Sequence, residues 1–315
     1  MQHIESDDFV VEFLGEQEID VYDIEVDSNH NFFANDILVH NSIYMNLNDI
    51  IVKTNSADKD ELTIVNILDQ FYEDKISPLI KKTQKNLANN LGCRDAFIKV
   101  KREAIASKSI FLAKKRYIQL VQNSEGVHYK IPKLKMTGVE AIKSTTPNSV
   151  KGLFLELFRI MLTEGEKKSQ EFLAEKFNLF CELPYDEIAY NGKVSDILKY
   201  TGNESLGEDL IKPKCPKKVR GAIYYNKLLK DKGLLIKYNQ IFPGDSVKTL
   251  NLRMPNPIRS DVIAYNDSLP TEFGLEKYID YDDMWEVCFL KPIRDIMNVC
   301  GWESESQNTL DRFFG

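Results

Sequence analysis

The first 41 residues contain no lysine and no arginine, although eleven aspartates and glutamates fall among them. The whole chain carries 48 acidic and 41 basic residues, so residues 42–315 keep 37 acidic against all 41 basic ones and are slightly basic. So abrupt a change of sign marks two functional pieces meeting near residue 41. Cysteine is also sparse. Cys93, Cys181, Cys215, Cys288 and Cys300 are scattered, odd in number and without a Cys-x-x-Cys pair. That argues against a zinc site or disulfide framework and for a reducing compartment. No apolar run approaches the roughly twenty residues of a membrane span, and the opening MQHIESDDFV is too acidic for a secretory signal. The expected location is therefore the cytoplasm, with no membrane partner. A length of 315 residues gives room for about two or three domains.

What is present changes texture along the chain. Residues 9–14, 19–26 and 36–39 are short β-rich runs, broken by turn-formers at Asp27-Ser28-Asn29 and Asn35-Asp36. Residues 42–52 read as a strand and its exit. From about 58 to 91 apolar residues recur at helical spacing, with Gly92 as a stop. The runs DAFIKVKREAI and SIFLAKKRYIQLV predict two strands, the second turning through Asn123-Ser124-Glu125-Gly126 into VHYKIPKL. Thr146 is expected to cap a helix that has Pro147 in its first turn. A mixed stretch extends to about 260 and holds the basic cluster KPKCPKKVR, which its two prolines should stiffen into a loop. A last helix near 274–300 precedes a polar linker and the tail QNTLDRFF.

The junction DILVHNSIYMN, residues 36–46, runs one apolar strand into another through His40-Asn41-Ser42 with no turn residue between. An asparagine side chain can attack its own carbonyl, forming a succinimide and breaking the following peptide bond. A preceding histidine can donate to that carbonyl or to the leaving amine, and a following serine can accept an acyl group. The residues upstream add a pattern: Val21-Tyr22-Asp23-Ile24-Glu25-Val26, then His30-Asn31-Phe32, then Ile37-Leu38-Val39-His40-Asn41. This segment resembles the C-terminal end of inteins, the self-excising protein-splicing elements. Three of the four histidines lie within residues 1–41. The resemblance implies that Asn41 cyclises, His40 assists, Asp23 and His30 orient and protonate, and Ser42 is the acceptor on the flanking protein. Asp36 stands where many inteins have glycine. No cofactor is implied for splicing. Neither an initial Cys or Ser nor a Thr-x-x-His block is present, so the resemblance implies half of a split intein, whose other half would be favoured by a basic charge.

Downstream, the motifs SIYMNL, KVKREAIA, AKKRY, PKLKMTGVEAIKSTTP and PKCPKKVRGAIYYNKLLK occur in that order. Residues 42–315 resemble the C-terminal part of family B DNA polymerases, most closely those of the T-even-phage type. There SIYMNL follows Asp-Thr-Asp at the catalytic turn; here Asn41 precedes Ser42. The resemblance implies a two-Mg2+ centre whose main aspartates lie on a partner fragment, with Glu103 as an auxiliary carboxylate. Strand alternation sets Lys99, Lys101 and Glu103 on one face. It likewise sets Lys115 with Tyr117 and Lys114 with Arg116. These four residues, with Lys133, Lys135, Lys143, Lys212, Lys214, Lys217, Lys218 and Arg220, are expected to contact primer–template DNA through its backbone. The tail matches a sliding-clamp-binding peptide, with Gln307 setting register and Leu310, Phe313 and Phe314 forming an apolar plug.

The expected fold is α+β and multi-domain: a short all-β Hint-type intein fragment (1–41), a partial palm of antiparallel sheet with helix (42–137), a mostly helical thumb (138–305) and a clamp-binding tail (306–315). The expected function is that of a precursor which trans-splices with an N-terminal half and then polymerises dNTPs in the host cytoplasm. Two rivals differ in class: a stand-alone DNA- and clamp-binding accessory subunit carrying an inactive intein remnant, and a protein that cleaves itself at Asn41 without ligation.

Overall fold

The computed structural model describes residues 31–34, 37–40, 45–53, 58–94, 100–202 and 210–304. The strands expected at 9–14 and 19–26 fall outside these residues. The chain divides into two compact units, residues 1–107 with 121–133, and residues 108–120 with 134–315.

In the first unit β1 (Asn31–Ala34) pairs antiparallel with β2 (Ile37–His40). The strand expected at 42–52 is corrected: α1 (Asn48–Lys53) occupies the end of that segment. Its start is set by Asn46, whose Oδ1 accepts the Asn48 N–H at 3.0 Å and so favours a helical turn over an extended run. The periodic stretch that follows is one long helix, as its spacing predicts. It comprises α2 (Glu61–Phe71) and α3 (Ser77–Asn90), joined by a π turn over Tyr72–Ile76. Asp60 caps it, accepting from the Thr63 N–H at 3.0 Å and the Thr63 hydroxyl at 2.6 Å. These bonds hold its carboxyl below the usual range. The π turn has an identifiable cause. Pro78 lacks an N–H, and its ring would press on the carbonyl four residues back. A wider turn, in which the Ser77 N–H reaches the Tyr72 carbonyl, makes room without ending the helix.

Three strands follow in the order β3-β4-β5: β3 (Ala104–Ala113), β4 (Arg116–Ser124) and β5 (Val127–Thr137). The predicted hairpin at 123–126 is present. Glu125 and Gly126 both take positive φ, 50° and 88°, the pattern of a two-residue turn matching strand twist. The strand read across SIFLAKKRYIQLV is corrected. It is broken at Lys114-Lys115, where Lys115 takes φ 55° and reverses the chain. Lys101 and Glu103 likewise precede β3 instead of alternating along it.

The second unit has a closed apolar core. Helix α4 (Asn148–Thr163) turns at Gly165 into α5 (Glu166–Cys181). The predicted Thr146 cap is replaced by Pro147 at the N-cap, and the Thr146 hydroxyl instead donates to the Glu140 carbonyl at 2.8 Å. Short α6 (Tyr185–Ile188), β6 (Tyr190–Lys193) and α7 (Ile197–Tyr200) follow, then the long α8 (Lys217–Asp231). Strands β7 (Ser246–Asn251) and β8 (Val262–Tyr265) complete an antiparallel sheet ordered β6-β7-β8. The mostly helical expectation does not include this sheet, since its strands are only four to six residues long. Helices α9 (Tyr281–Trp285) and α10 (Lys291–Val299) are continuous through a second π turn, again placed directly before a proline, Pro292. Phe154, Phe180, Trp285 and Phe289 stack edge-on or tilted, with centroids 4.7–5.1 Å apart, at the centre of this unit.

Helix α8 lies on β8, all four of whose residues are buried. Gly221 permits the approach: a Cβ there would stand 2.7 Å from the Ala264 nitrogen and 2.9 Å from the Ile263 carbonyl carbon. Gly221→Ala should therefore cost about 1–3 kcal/mol in denaturant unfolding through overpacking. Gly152→Ala, in open space on α4, should instead gain up to about 1 kcal/mol from helix propensity.

Candidate nucleic-acid interface

The tip of the β3–β4 hairpin is locked from behind. Gly138, at φ 64°, lies so close to it that a Cβ would stand 2.3 Å from the Lys115 carbonyl oxygen and 2.9 Å from Arg116 Cγ. Arg116 donates from Nε to the Gly138 carbonyl at 3.2 Å and faces Glu140 at 3.6 Å. Glu140 also pairs with Lys143 at 2.7 Å. The lysine at the tip, Lys115, is exposed and left-handed, whereas Lys114 and Tyr117 are half-buried. A left-handed lysine costs energy, and it persists here in a turn that Gly138 leaves room for and that the Arg116–Gly138 bond pins.

A second set of cations surrounds the start of α8. The loop expected across the whole cluster is corrected. It ends at Pro216, and Lys217, Lys218 and Arg220 lie in the first turn of the helix. Two lysines there oppose the helix dipole, whose positive end they occupy. Asp261 and Asp283 offset this in part. Arg220 is ion-paired with Asp261, and Lys217 lies 3.9 Å from Asp261 and 3.8 Å from Asp283. Asp261 is itself fixed by the Leu252 N–H, which donates to its carbonyl at 2.8 Å. Among the described residues Lys212, Lys214 and Lys218 have no carboxylate within 4 Å, and Lys214 is left-handed at φ 62°. Cys215 sits among these cations, yet burial pushes its thiol up, so the cluster does not carry a thiolate at neutral pH.

A chain of neighbouring groups connects the two sets within the second unit. Glu140 holds Arg116 and Lys143, and its carbonyl accepts from Thr146. The neighbouring Thr145 carbonyl accepts from the Asn191 N–H at 3.0 Å. Next along β6 is Gly192, and a Cβ there would meet the Lys218 ammonium at 2.9 Å. Gly192 thus lets Lys218 lie across β6. Sequence reading finds the cations but misses what positions them, the glycines at 138 and 192 and the carboxylates Glu140, Asp261 and Asp283. The signal available is a glycine directly after a strand in KMTGVE. Lys135 lies half-buried on β5 of this unit. Lys133 belongs to the first unit, with its ammonium 5.8 Å from the Tyr129 ring centroid.

If the unpaired lysines meet phosphate, replacing Lys212, Lys214 and Lys218 together by alanine should flatten the salt dependence of duplex binding. The slope of log K against log salt should fall by about 0.9 for each phosphate no longer neutralised, whatever the DNA sequence.

Glu103 is exposed just before β3. Its carbonyl accepts from the Glu125 N–H at 2.9 Å and the Ser124 hydroxyl at 3.2 Å. No group of three or more His, Cys, Asp or Glu that could hold a metal occurs among the described residues. Of the splicing residues, only the backbone of His40 is described, and the β1–β2 register sets it opposite Asn31. Asp23, His30, Asn41 and Ser42 lie outside the described residues, as do Gln307, Leu310, Phe313 and Phe314. No described helix is long and apolar enough to cross a membrane.

No family model matches the chain. Over most of its length, however, the chain is homologous to DNA-directed DNA polymerases. The relatives are the DNA-directed DNA polymerase of Enterobacteria phage T4, 29% identical over 287 residues, and that of Escherichia phage RB69, 31% identical over 286. Each match covers 87% of this chain and 31% of the relative, so the chain spans about a third of the length of these curated relatives.

Proposed function

We propose that residues 42–315 are the C-terminal portion of a family B DNA polymerase, and that residues 1–41 splice it to the remainder. The carrying observation is the homology over 87% of the chain, taken with the charge boundary and Asn41-Ser42 at one place in the sequence. In this reading the remainder arrives in trans, drawn to residues 1–41 by opposite charge. The pairing of β1 with β2, which sets Asn31 opposite His40 and Phe32 opposite Val39, supports the same reading.

After joining, the second unit grips primer–template. Lys114, Lys115, Arg116 and Tyr117 sit at the primer terminus, and Lys135, Lys143, Lys212, Lys214, Lys217, Lys218 and Arg220 follow the backbone; Lys133, on the first unit, is a further DNA contact. Contacts to phosphate carry no base information, which suits an enzyme that must copy any sequence. Mg2+, when bound, activates the primer hydroxyl and stabilises the leaving pyrophosphate. Glu103 adds one carboxylate near it, and the main ligands come from the other portion. The tail residues Gln307, Leu310, Phe313 and Phe314 dock on a sliding clamp. The test is primer extension. The joined product should incorporate dNTPs, and this chain alone should not. A joined product that binds primer–template but never extends it would overturn the polymerase reading.

A further inference from the structure

The loop 252–261, between β7 and β8, stands beside the start of α8. The Leu252 N–H closes its base by donating to the Asp261 carbonyl at 2.8 Å. Its interior is filled by the buried side chain of Asn256, whose hydrogen bonds all stay within the loop. Asn256 Nδ2 donates to the Arg253 carbonyl at 2.9 Å and the Ser260 carbonyl at 2.7 Å. Its Oδ1 accepts from the Ile258 N–H at 3.2 Å and the Ser260 N–H at 3.4 Å. A loop bonded through its centre in this way is rigid, so its outward residues have fixed positions. One of them is Arg259. It is exposed and takes φ 49°, a left-handed backbone that glycine would adopt without steric cost. Among the described residues no carboxylate lies within 4 Å of its guanidinium, whereas Arg253 of the same loop is held by Asp282 at 2.7 Å. Two residues on is Asp261, already occupied by Arg220 and Lys217. Cα atoms two residues apart are separated by at most about 7 Å, so Arg259 adjoins the cations at the start of α8.

We propose that Arg259 is a further phosphate contact for duplex DNA, presented beside Lys217 and Lys218 by a loop that fixes its position. A strained backbone is retained where the side chain it carries has a use, and this one carries a cation without a local partner. A guanidinium forks onto phosphate oxygens with two parallel N–H donors, which a rigid base helps to aim. Lys212 and Lys214, leading into α8, and Lys218 within it also lack a carboxylate among the described residues. Unpaired cations on two separate segments fit an extended polyanion better than one small anion. The proposal rests on the DNA-binding reading above and deepens it.

The test is a salt titration of duplex binding by the full chain, with mixed-sequence DNA as the probe. Arg259→Gly removes the guanidinium and relieves the left-handed backbone, so the variant should unfold at the parent's temperature or above. Its slope of log K against log salt should nevertheless fall by about 0.9, which is about 8-fold weaker binding at 0.1 M salt. Arg259→Lys keeps the charge and should keep the slope. Lys167→Ala removes one exposed positive charge elsewhere in the same unit. The Glu303 N–H donates to the neighbouring Glu166 at 2.9 Å, so Lys167 stands at the opposite end of the α9–α10 helix from Asp283. That is roughly 24 Å away at about 1.5 Å per residue, and slope and affinity should stay as they were. An unchanged slope in Arg259→Gly, or equal losses in Arg259→Gly and Lys167→Ala, overturns the contact. So does a lower unfolding temperature in Arg259→Gly with binding that lysine does not restore. A parent chain with no salt-dependent duplex binding overturns the DNA-binding reading as well.

Discussion

Gly138→Ala should weaken primer–template binding by more than 10-fold and lower stability by about 2–4 kcal/mol, combining left-handed strain with overpacking. The added methyl would stand 2.3 Å from a backbone oxygen, that of Lys115. A backbone atom cannot swing away as a lysine tip can, so the β3–β4 turn itself must move. Arg116 then loses its bond to the Gly138 carbonyl, and the cations that Glu140 gathers separate. Two companions separate the causes. Gly126→Ala meets nothing within 4 Å at φ 88°, so it carries the conformational cost alone. Gly138→Asn relieves that cost but keeps the overlap. Binding restored by asparagine would mean that conformation, not crowding, sets the turn. Unchanged binding with alanine would remove Gly138 from any role in the interface.

Asn41→Ala should abolish release of residues 1–41, and with it the peptide-bonded product, because no other side chain supplies the carboxamide that breaks the bond before Ser42; an ester to Ser42 can still form. Ser42→Ala should fail differently. Without the hydroxyl there is no acceptor for the incoming polypeptide, while Asn41 can still cyclise and release residues 42–315. His40→Ala should slow the reaction, since the imidazole assists proton transfer only. Mass spectrometry of co-expressed chains distinguishes these products. Joined product lacking residues 1–41 from Asn41→Ala would exclude the cyclisation chemistry.

Elements with a strong period are readable from the sequence. The helix at 61–90, the turn at Glu125-Gly126 and the two-part charge of the chain all follow from local pattern. What escapes reading depends on tertiary packing. AKKRY has the composition of a strand, and the reversal at Lys115 is accommodated by Gly138, more than twenty residues on. Thr146-Pro147 has the form of a cap, but Glu140 offers the threonine hydroxyl a better partner. VIAY looks no different from any short apolar run until α8 covers it. The cations of the interface are legible by charge. Their division into cations held by Asp261 and Asp283 and lysines without a carboxylate among the described residues is not, because those carboxylates lie more than forty residues away in sequence.

The most direct test of splicing is the intact mass of products after co-expression with the N-terminal polymerase fragment from the same genome. A new chain is expected, in which residues 1–41 are missing and the fragment's terminal aspartate is joined to Ser42. Two unchanged masses would contradict splicing and leave residues 1–41 without a role in joining.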